Sequence, residues 1–450
     1  MSKTFKLWML LVLSLSIVSC VENYDNPTPV EYATLQEALA ANDLISDIKE
    51  NPDESAMEKK KKGELFYLSQ YSMKFRQAID HNQPDGETFQ QRVCILFRGF
   101  DRPTILVTQG YFWMGFGDGE DFGINLNANM VHVEHRNFGE SFTSDQERWK
   151  YETSAQVSAD LHAVYQALKP IFRGKWMSMG TSKSGETSMD YAYYYPNDMD
   201  LAAAFCSPFN ISLDDKRFGD YLLNEANTEE VRNLLKKHIR TALENGEDGL
   251  YKVCCEQLKQ QFPLPSFSEY VYNVFDNFFT LFQYTIPSQH IAAIEDMTQS
   301  TESFAASICN NILMNRYPSF YTYYVDCAKE QGFTNPGYDY FADLLEGTSF
   351  KVEDIWKAYL TEADQGLVKE YDNSVRLDML ERFFLNSPIP LLFFYSQCDP
   401  WSAAQPEKLG PNAKKIINPI GVHSYKINDP TYCPADIKKE VMDYVSTYIY

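Results

Sequence analysis

The chain has 450 residues, with 62 acidic against 40 basic side chains and a formal net charge of −22. That balance excludes the basic surface that nucleic-acid binding requires. The length leaves room for a large core and a second module, and 30 Tyr and 30 Phe are available to line cores and grooves.

The chain opens with a positive start at Lys3 and Lys6, followed by a 12-residue apolar run over 7–18. The run is too short to span a bilayer and has the length of a signal sequence. It ends in Ile17-Val18-Ser19-Cys20, which resembles a bacterial lipobox. The resemblance implies cleavage before Cys20 and lipid attachment to its sulfur. It also implies an exported lipoprotein of the cell envelope, held at the outer membrane or the cell surface through this anchor. An ordinary signal peptide cut near Ser19 is the alternative. Loss of residues 1–19 would take the charge to −24. Such acidity suits cationic ligands, among them peptides with free amino termini, as well as solubility. Residues 20–34 read as a tether, residues 35–48 as a short amphipathic helix, and Glu58 with Lys59–Lys62 as a solvated charge run.

Residues 73–79 and 90–97 form a predicted strand hairpin around a turn at 80–86. Residues 104–108 are a buried strand running into Gln109-Gly110-Tyr111. A glycine directly after an early core strand suits either a loop donating one oxyanion-hole N–H, with Gly110 and Tyr111 as candidates, or a plain turn. Residues 129–134 form the next strand. Residues 153–172 form a helix with a Thr153/Gln156 capping box, and Val157, Leu161, Val164 and Leu168 repeat along its sheet-facing side. Asp160 and His162 are read as surface or supporting groups.

A short apolar strand then enters Gly180-Thr181-Ser182-Lys183-Ser184-Gly185, and a helix leaves through Glu186 to a stop at Pro196. A serine on a sharp strand-to-helix turn is a nucleophile elbow, and small neighbours are what so tight a turn needs. Ser182 is the candidate nucleophile, and the backbone N–H of Lys183 is the second oxyanion-hole candidate. The spacing Gly180 to Gly185 also imitates a phosphate-binding loop. That loop needs Lys and then Ser or Thr after its second glycine, whereas here Glu186 follows and would repel phosphate. One more strand, over 200–206, completes an alternation of strands and helices that builds a parallel sheet covered on both faces.

Residues 208–385 break that grammar. Helical patterns dominate at 229–244, 249–261, 267–284, 303–315 and 352–362, and the segment is read as a helical cap over the end of the sheet where Ser182 projects. An independent helical domain is the competing reading. Residues 35–207 and 386–450 are then the two halves of one α/β core. In the second half, the strand at 389–395 runs into Asp399-Pro400-Trp401, the strand at 414–420 into His423, and residues 435–448 form a closing helix. Buried strands thus end in Ser182, Asp399 and His423, in the chain order Ser, Asp, His of the α/β-hydrolase fold. His423 would take the Ser182 proton, and Asp399 would hold the imidazole tautomer. His423 is singled out among seven histidines because it follows a strand 24 residues after a post-strand aspartate. Cysteine spacings do not resemble a zinc site, so no metal or cofactor is expected. Cys398 and Cys433 flank the Asp399 and His423 loops and form a candidate disulfide, with free thiols as the alternative.

The chain resembles family thirty-seven of the serine peptidases, the secreted bacterial prolyl tripeptidyl and tetrapeptidyl aminopeptidases. The resemblance is carried by Phe75 to Asn82, Phe89 to Arg92, Arg98 to Thr104, Glu134 to Ser141, Ala167 to Trp176, Ser182-Lys183, Tyr195 to Asp198 and Asp399 to Trp401. These residues span most of 70–210 and 389–425 and so carry the resemblance for the core. The family elbow is usually Gly-Gly-Ser-Lys-Gly-Gly, and Thr181 and Ser184 depart from it. The resemblance implies a serine peptidase releasing short N-terminal peptides, often after proline; Glu186 and Trp401 are the candidate substrate-binding residues. An esterase or acyltransferase on the same core, or a binding protein without activity, are the other readings. Fixing a free amino terminus calls for a carboxylate in the cap, and Glu269, Asp276 and Glu302 stand unranked.

Overall fold

The computed structural model describes residues 32–50, 67–117, 119–143, 148–259, 263–424 and 426–450. The apolar run at 7–18, Cys20 and the charge run at 58–62 lie outside the described residues. The region from Tyr32 to Tyr450 forms one compact unit.

At its centre is a nine-stranded sheet in the order β1-β2-β3-β5-β4-β6-β7-β8-β9. The strands are β1 Ile45–Glu50, β2 Ser69–Ala78, β3 Thr88–Phe97, β4 Thr104–Val107, β5 Asn129–Val133, β6 Trp176–Thr181, β7 Leu201–Phe205, β8 Leu391–Ser396 and β9 Ala413–Asn418. Neighbours from β5 to β9 run parallel, and β1, β2 and β3 join antiparallel at one edge. β4 to β8 are buried on both faces, except for the last residue of β6. This is why they read as continuous apolar runs rather than alternating ones. Alternate residues nevertheless feed two separate cores. Leu106, Trp176, Ala202 and Phe393 pack under the helices Ser154–Leu168 and Lys183–Tyr194. Ile105, Met177, Ala203 and Phe394 pack under the C-terminal helix Ala435–Ile449. From β2 onward this is the strand order and helical cover of the α/β-hydrolase fold, with β1 added outside it.

Between β7 and β8 the described residues are mainly helical, and they hold a core of their own. Its spine is the helix Phe267–Tyr284, in which Phe275, Phe278 and Phe279 are buried. Each such ring contributes about 1.5–3 kcal/mol by leaving water. Helices Glu229–Leu243 and Thr301–Asn315 pack on the spine.

Three local expectations are corrected. The predicted helix over 35–48 is only Leu35–Ala40, and Ile45–Glu50 is an edge strand. The Asn42 side chain accepts the Leu44 N–H at 2.9 Å and ends the helical run. Thr153 caps its helix by accepting from Gln156 N–H at 3.3 Å, but the Gln156 amide turns away to His81 N–H and Asp80, so the capping box is not reciprocal. Residues 352–362 form only a turn of 3-10 helix, Val352–Ile355, and one α-turn, Trp356–Tyr359.

Candidate active site

β4 and β6 are neighbours although two α-helices and β5 separate them in the chain. The strand order reverses here, and open parallel sheets bind ligands outside the carboxyl ends of the strands at such a reversal. Both strands end in tight turns. Ser182 has φ 60° and ψ −132°, a strained conformation costing about 1–3 kcal/mol that the surroundings must hold in place. Its N–H donates to Phe205 O at 2.8 Å, tying the elbow to the end of β7. The flanking glycines are steric necessities. A Cβ at Gly180 would lie 2.1 Å from Ser184 Oγ, and one at Gly185 would lie 1.9 Å from Ser207 Oγ.

The Ser184 departure is absorbed locally. Ser184 Oγ donates to Thr108 O at 2.9 Å, bridging the end of β4 to the elbow helix. Thr181 Oγ1 is buried without a hydrogen-bond partner among the described residues. Gly110 has φ +72°, and a Cβ there would meet Ser184 N at 2.5 Å. The Gly110–Tyr111 turn therefore presses against the first turn of the elbow helix, whose leading N–H groups have no intrahelical acceptor. Two backbone segments able to supply oxyanion donors lie side by side.

Asp399 is fully buried in the turn after β8. Its carboxylate accepts from Trp401 N–H at 3.2 Å and pairs with His423 Nδ1 at 2.8 Å. Nδ1 then carries the proton, leaving Nε2 as the basic nitrogen. Nε2 is buried and without a hydrogen-bond partner among the described residues, while the Ser182 side chain interacts with the Tyr111 hydroxyl. The cap reaches this loop directly, because His423 N–H donates to Gln283 O at 3.0 Å and Trp401 Nε1 donates to Gln283 Oε1 at 3.3 Å.

Ser182, Lys183, Tyr111, Glu186 and Trp401 line one cavity of about 200 Å³, whose far wall is cap. Tyr272, Tyr323, Tyr324 and Phe320 supply an aromatic surface there, with Asp276 among them. A larger cleft of about 670 Å³ lies elsewhere on the cap, bordered by Glu269 and Arg316, and does not include Ser182.

Beneath the elbow lies a charge cluster that single-residue reading did not find. Lys183 is buried, with Nζ 3.0 Å from His135 Nε2 and 3.0 Å from Asp326 of the cap. Since Lys183 can only donate, His135 Nε2 accepts and Nδ1–H donates to Arg136 O at 2.9 Å. Burial, reinforced by Lys183, holds the His135 pKa well below its usual value. Burial and nearby Asp326 raise that of Glu152. His135, Glu152 and Asp326 could offer metal-ligand atoms, but the lysine already supplies their positive charge. Glu186 pairs with Arg376 of the cap at 2.9 Å, and burial pushes its carboxyl up to about 8 against that pull.

Asp160 is not a surface group. It is buried and receives a two-pronged contact from the fully buried Arg136, 2.7 Å to each oxygen. His162 pairs with Asp198 at 2.7 Å and stacks on Tyr195. Cys398 and Cys433 are both free thiols, which corrects the expected disulfide. Cys433 packs into the core under the C-terminal helix, whereas the Cys398 thiol is held by the backbone at Asn227.

A serine on a strained elbow and an Asp–His pair at later strand ends, on this sheet, define a serine hydrolase of the α/β-hydrolase type. Residues 39–313 match the PS-10 peptidase S37 family, and the chain belongs to that family of serine peptidases. It is 26% identical over 356 residues to the prolyl tri/tetrapeptidyl aminopeptidase of Streptomyces mobaraensis, covering 76% of this chain and 71% of that protein. Among solved structures it is similar to Rv0554 from Mycobacterium tuberculosis (11% identity, 83% of this chain and 99% of that one, TM-score 0.40). It is also similar to the proline iminopeptidase of Mycobacterium smegmatis (11% identity, 83% and 98%, TM-score 0.37).

Proposed function

We propose that the protein is an exported, lipid-anchored aminopeptidase that releases short N-terminal peptides, with preference for cleavage after proline. Ser182 attacks the scissile carbonyl, His423 Nε2 takes its proton and returns it to the leaving amine, and Asp399 holds the imidazole tautomer. The N–H groups of Lys183 and of the Gly110–Tyr111 turn stabilise the oxyanion. The observation that carries this reading is the cavity itself: Ser182 opens into a chamber walled by the cap. Its aromatic wall suits a proline ring, and the Streptomyces relative's name points the same way.

The test is a matched pair of chromogenic peptides, one with a free and one with an acetylated amino terminus. Acetylation lowers kcat/KM by roughly 10- to 100-fold, the loss expected for one charge-assisted hydrogen bond. Equal rates on both would mean an endopeptidase, and faster turnover of short acyl esters than of either peptide would favour an esterase.

The anchor rests on the apolar run over 7–18 and on Cys20. In a bacterial host fed an alkyne-tagged palmitate, the full-length chain takes up label and Cys20→Ser does not. An unlabelled wild type in a host that labels its other lipoproteins would refute the anchor.

A further inference from the structure

We infer that Asp276 is the group that grips the substrate's terminal ammonium, and so sets how many residues are released. This rests on the aminopeptidase reading above. Asp276 sits on the cap's central helix, Phe267–Tyr284, and borders the same cavity as Ser182. Only 8% of it is exposed.

Its surroundings are unusual for a buried acid. Oδ2 accepts from Asn311 Nδ2 and from Asn315 Nδ2, each at 2.8 Å. Those amides also donate to Asn273 Oδ1, at 3.0 and 2.9 Å. Asn311 and Asn315 are one turn apart on the helix Thr301–Asn315, so both amides arrive from the same side. Thr280 Oγ1 fixes the Asn311 amide by donating to its Oδ1 at 3.0 Å. The carboxylate is thus aimed by neutral groups alone. Among the described residues no cationic side chain pairs with it, and Oδ1 accepts no hydrogen bond. Burial raises its pKa, and the two asparagines offset that only in part.

A buried charge without a counter-charge is costly, and buried charges are ordinarily paired. A carboxylate held by neutral donors alone has no counter-ion of its own and is open to a cation arriving from outside. The other candidate acids lack this property. Glu186 already holds Arg376 at 2.9 Å. Glu269 holds Arg316 at 2.6 Å and borders the separate cleft. Glu302 is exposed on the first turn of its helix. A peptide N-terminus is the cation an aminopeptidase cavity receives, and the path from Asp276 to Ser182 then measures the released fragment.

The test compares wild type with Asp276→Asn on a free-amine tripeptide chromogen and on its acetylated form, with fluorophosphonate labelling of Ser182 as a check on the catalytic machinery. Asp276→Asn keeps the shape and removes the uncompensated charge, so its Tm is expected at or above that of wild type. Its kcat/KM on the free-amine substrate falls roughly 10- to 100-fold, its rate on the acetylated substrate does not fall, and labelling proceeds as in wild type. The free tripeptide product should also lose its inhibition of the variant. A variant that still prefers free amines as strongly as wild type does, or that loses equally on both substrates, overturns the assignment of Asp276 while leaving the aminopeptidase reading intact. A wild type indifferent to acetylation overturns both. Were Asp276→Asn not to fold, Asn315→Leu, which removes one of the two aiming amides, is expected to lower free-amine turnover alone, and an equal loss on both substrates would refute the proposal.

Discussion

Ser182→Ala is expected to lower kcat by about 10⁴- to 10⁶-fold and to leave the protein folded, since the hydroxyl makes no contact on which the core depends. His423→Ala should lose a comparable amount. It should also melt at a lower temperature, because Asp399 is fully buried and would lose the imidazole 2.8 Å away that answers its charge. The double variant should be scarcely slower than either single one, because the two groups act in one proton transfer and removing the second takes away nothing further. Steady-state kinetics on one peptide substrate, with circular dichroism on each variant, decides this. Activity near wild type in Ser182→Ala would mean that another group is the nucleophile.

The largest effect on stability is expected away from the reacting atoms, at Arg136. Its guanidinium is fully buried, contacts both oxygens of Asp160 and donates to Ile79 O at 3.0 Å and Tyr151 O at 2.9 Å. These bonds join the β2–β3 hairpin, the loop after β5 and the helix that begins at Ser154. Arg136→Met should destabilise by about 3–5 kcal/mol, because Asp160 would be left as a buried charge with only His81, at 2.7 Å, to meet it. Arg136→Met combined with Asp160→Asn should recover part of the loss, since the stranded charge goes with it. Urea denaturation measures both. A single variant within 1 kcal/mol of wild type, by order of magnitude a surface effect, would mean that the pair is not the joint it is taken to be.

How much of this could be read from the residues follows from how local each signal is. The central strands are short apolar runs bounded by glycine, proline or polar residues, and burial on both faces makes such runs conspicuous. β1 was missed because it is an edge strand with only Ile45 buried. Its apolar residues fall where a continuation of the preceding helix would also place them. Ser182, Asp399 and His423 stand out because each follows a strand, a feature of the chain itself. The Arg136–Asp160 pair and the Lys183 cluster do not, because their partners come from distant segments and nothing near Asp160 in sequence marks it as buried. The cap acids could not be ranked for the same reason. What separates Asp276 from Glu269 is which helix packs beside each, and that depends on the whole cap. The expected disulfide failed on a related point, since two cysteines beside neighbouring loops can still enter different cores.

The bonds between cap and core bear on how this protein can be re-engineered. Lys183 meets Asp326, Glu186 meets Arg376, the Ser154 N–H donates to Glu330 at 2.8 Å, and Thr322 Oγ1 donates to Asn137 O at 2.7 Å. In every pair one member belongs to the sheet-bearing part and the other to the stretch between β7 and β8, and two of the pairs are buried charges. Although contiguous in the chain, that stretch is not a detachable cassette. Excising it, or grafting a relative's in its place, would strand a lysine and a glutamate directly under the elbow. Exchange of substrate range by transplantation must therefore carry Lys183, Glu186 and their counter-ions together, or begin with point changes along the cavity wall.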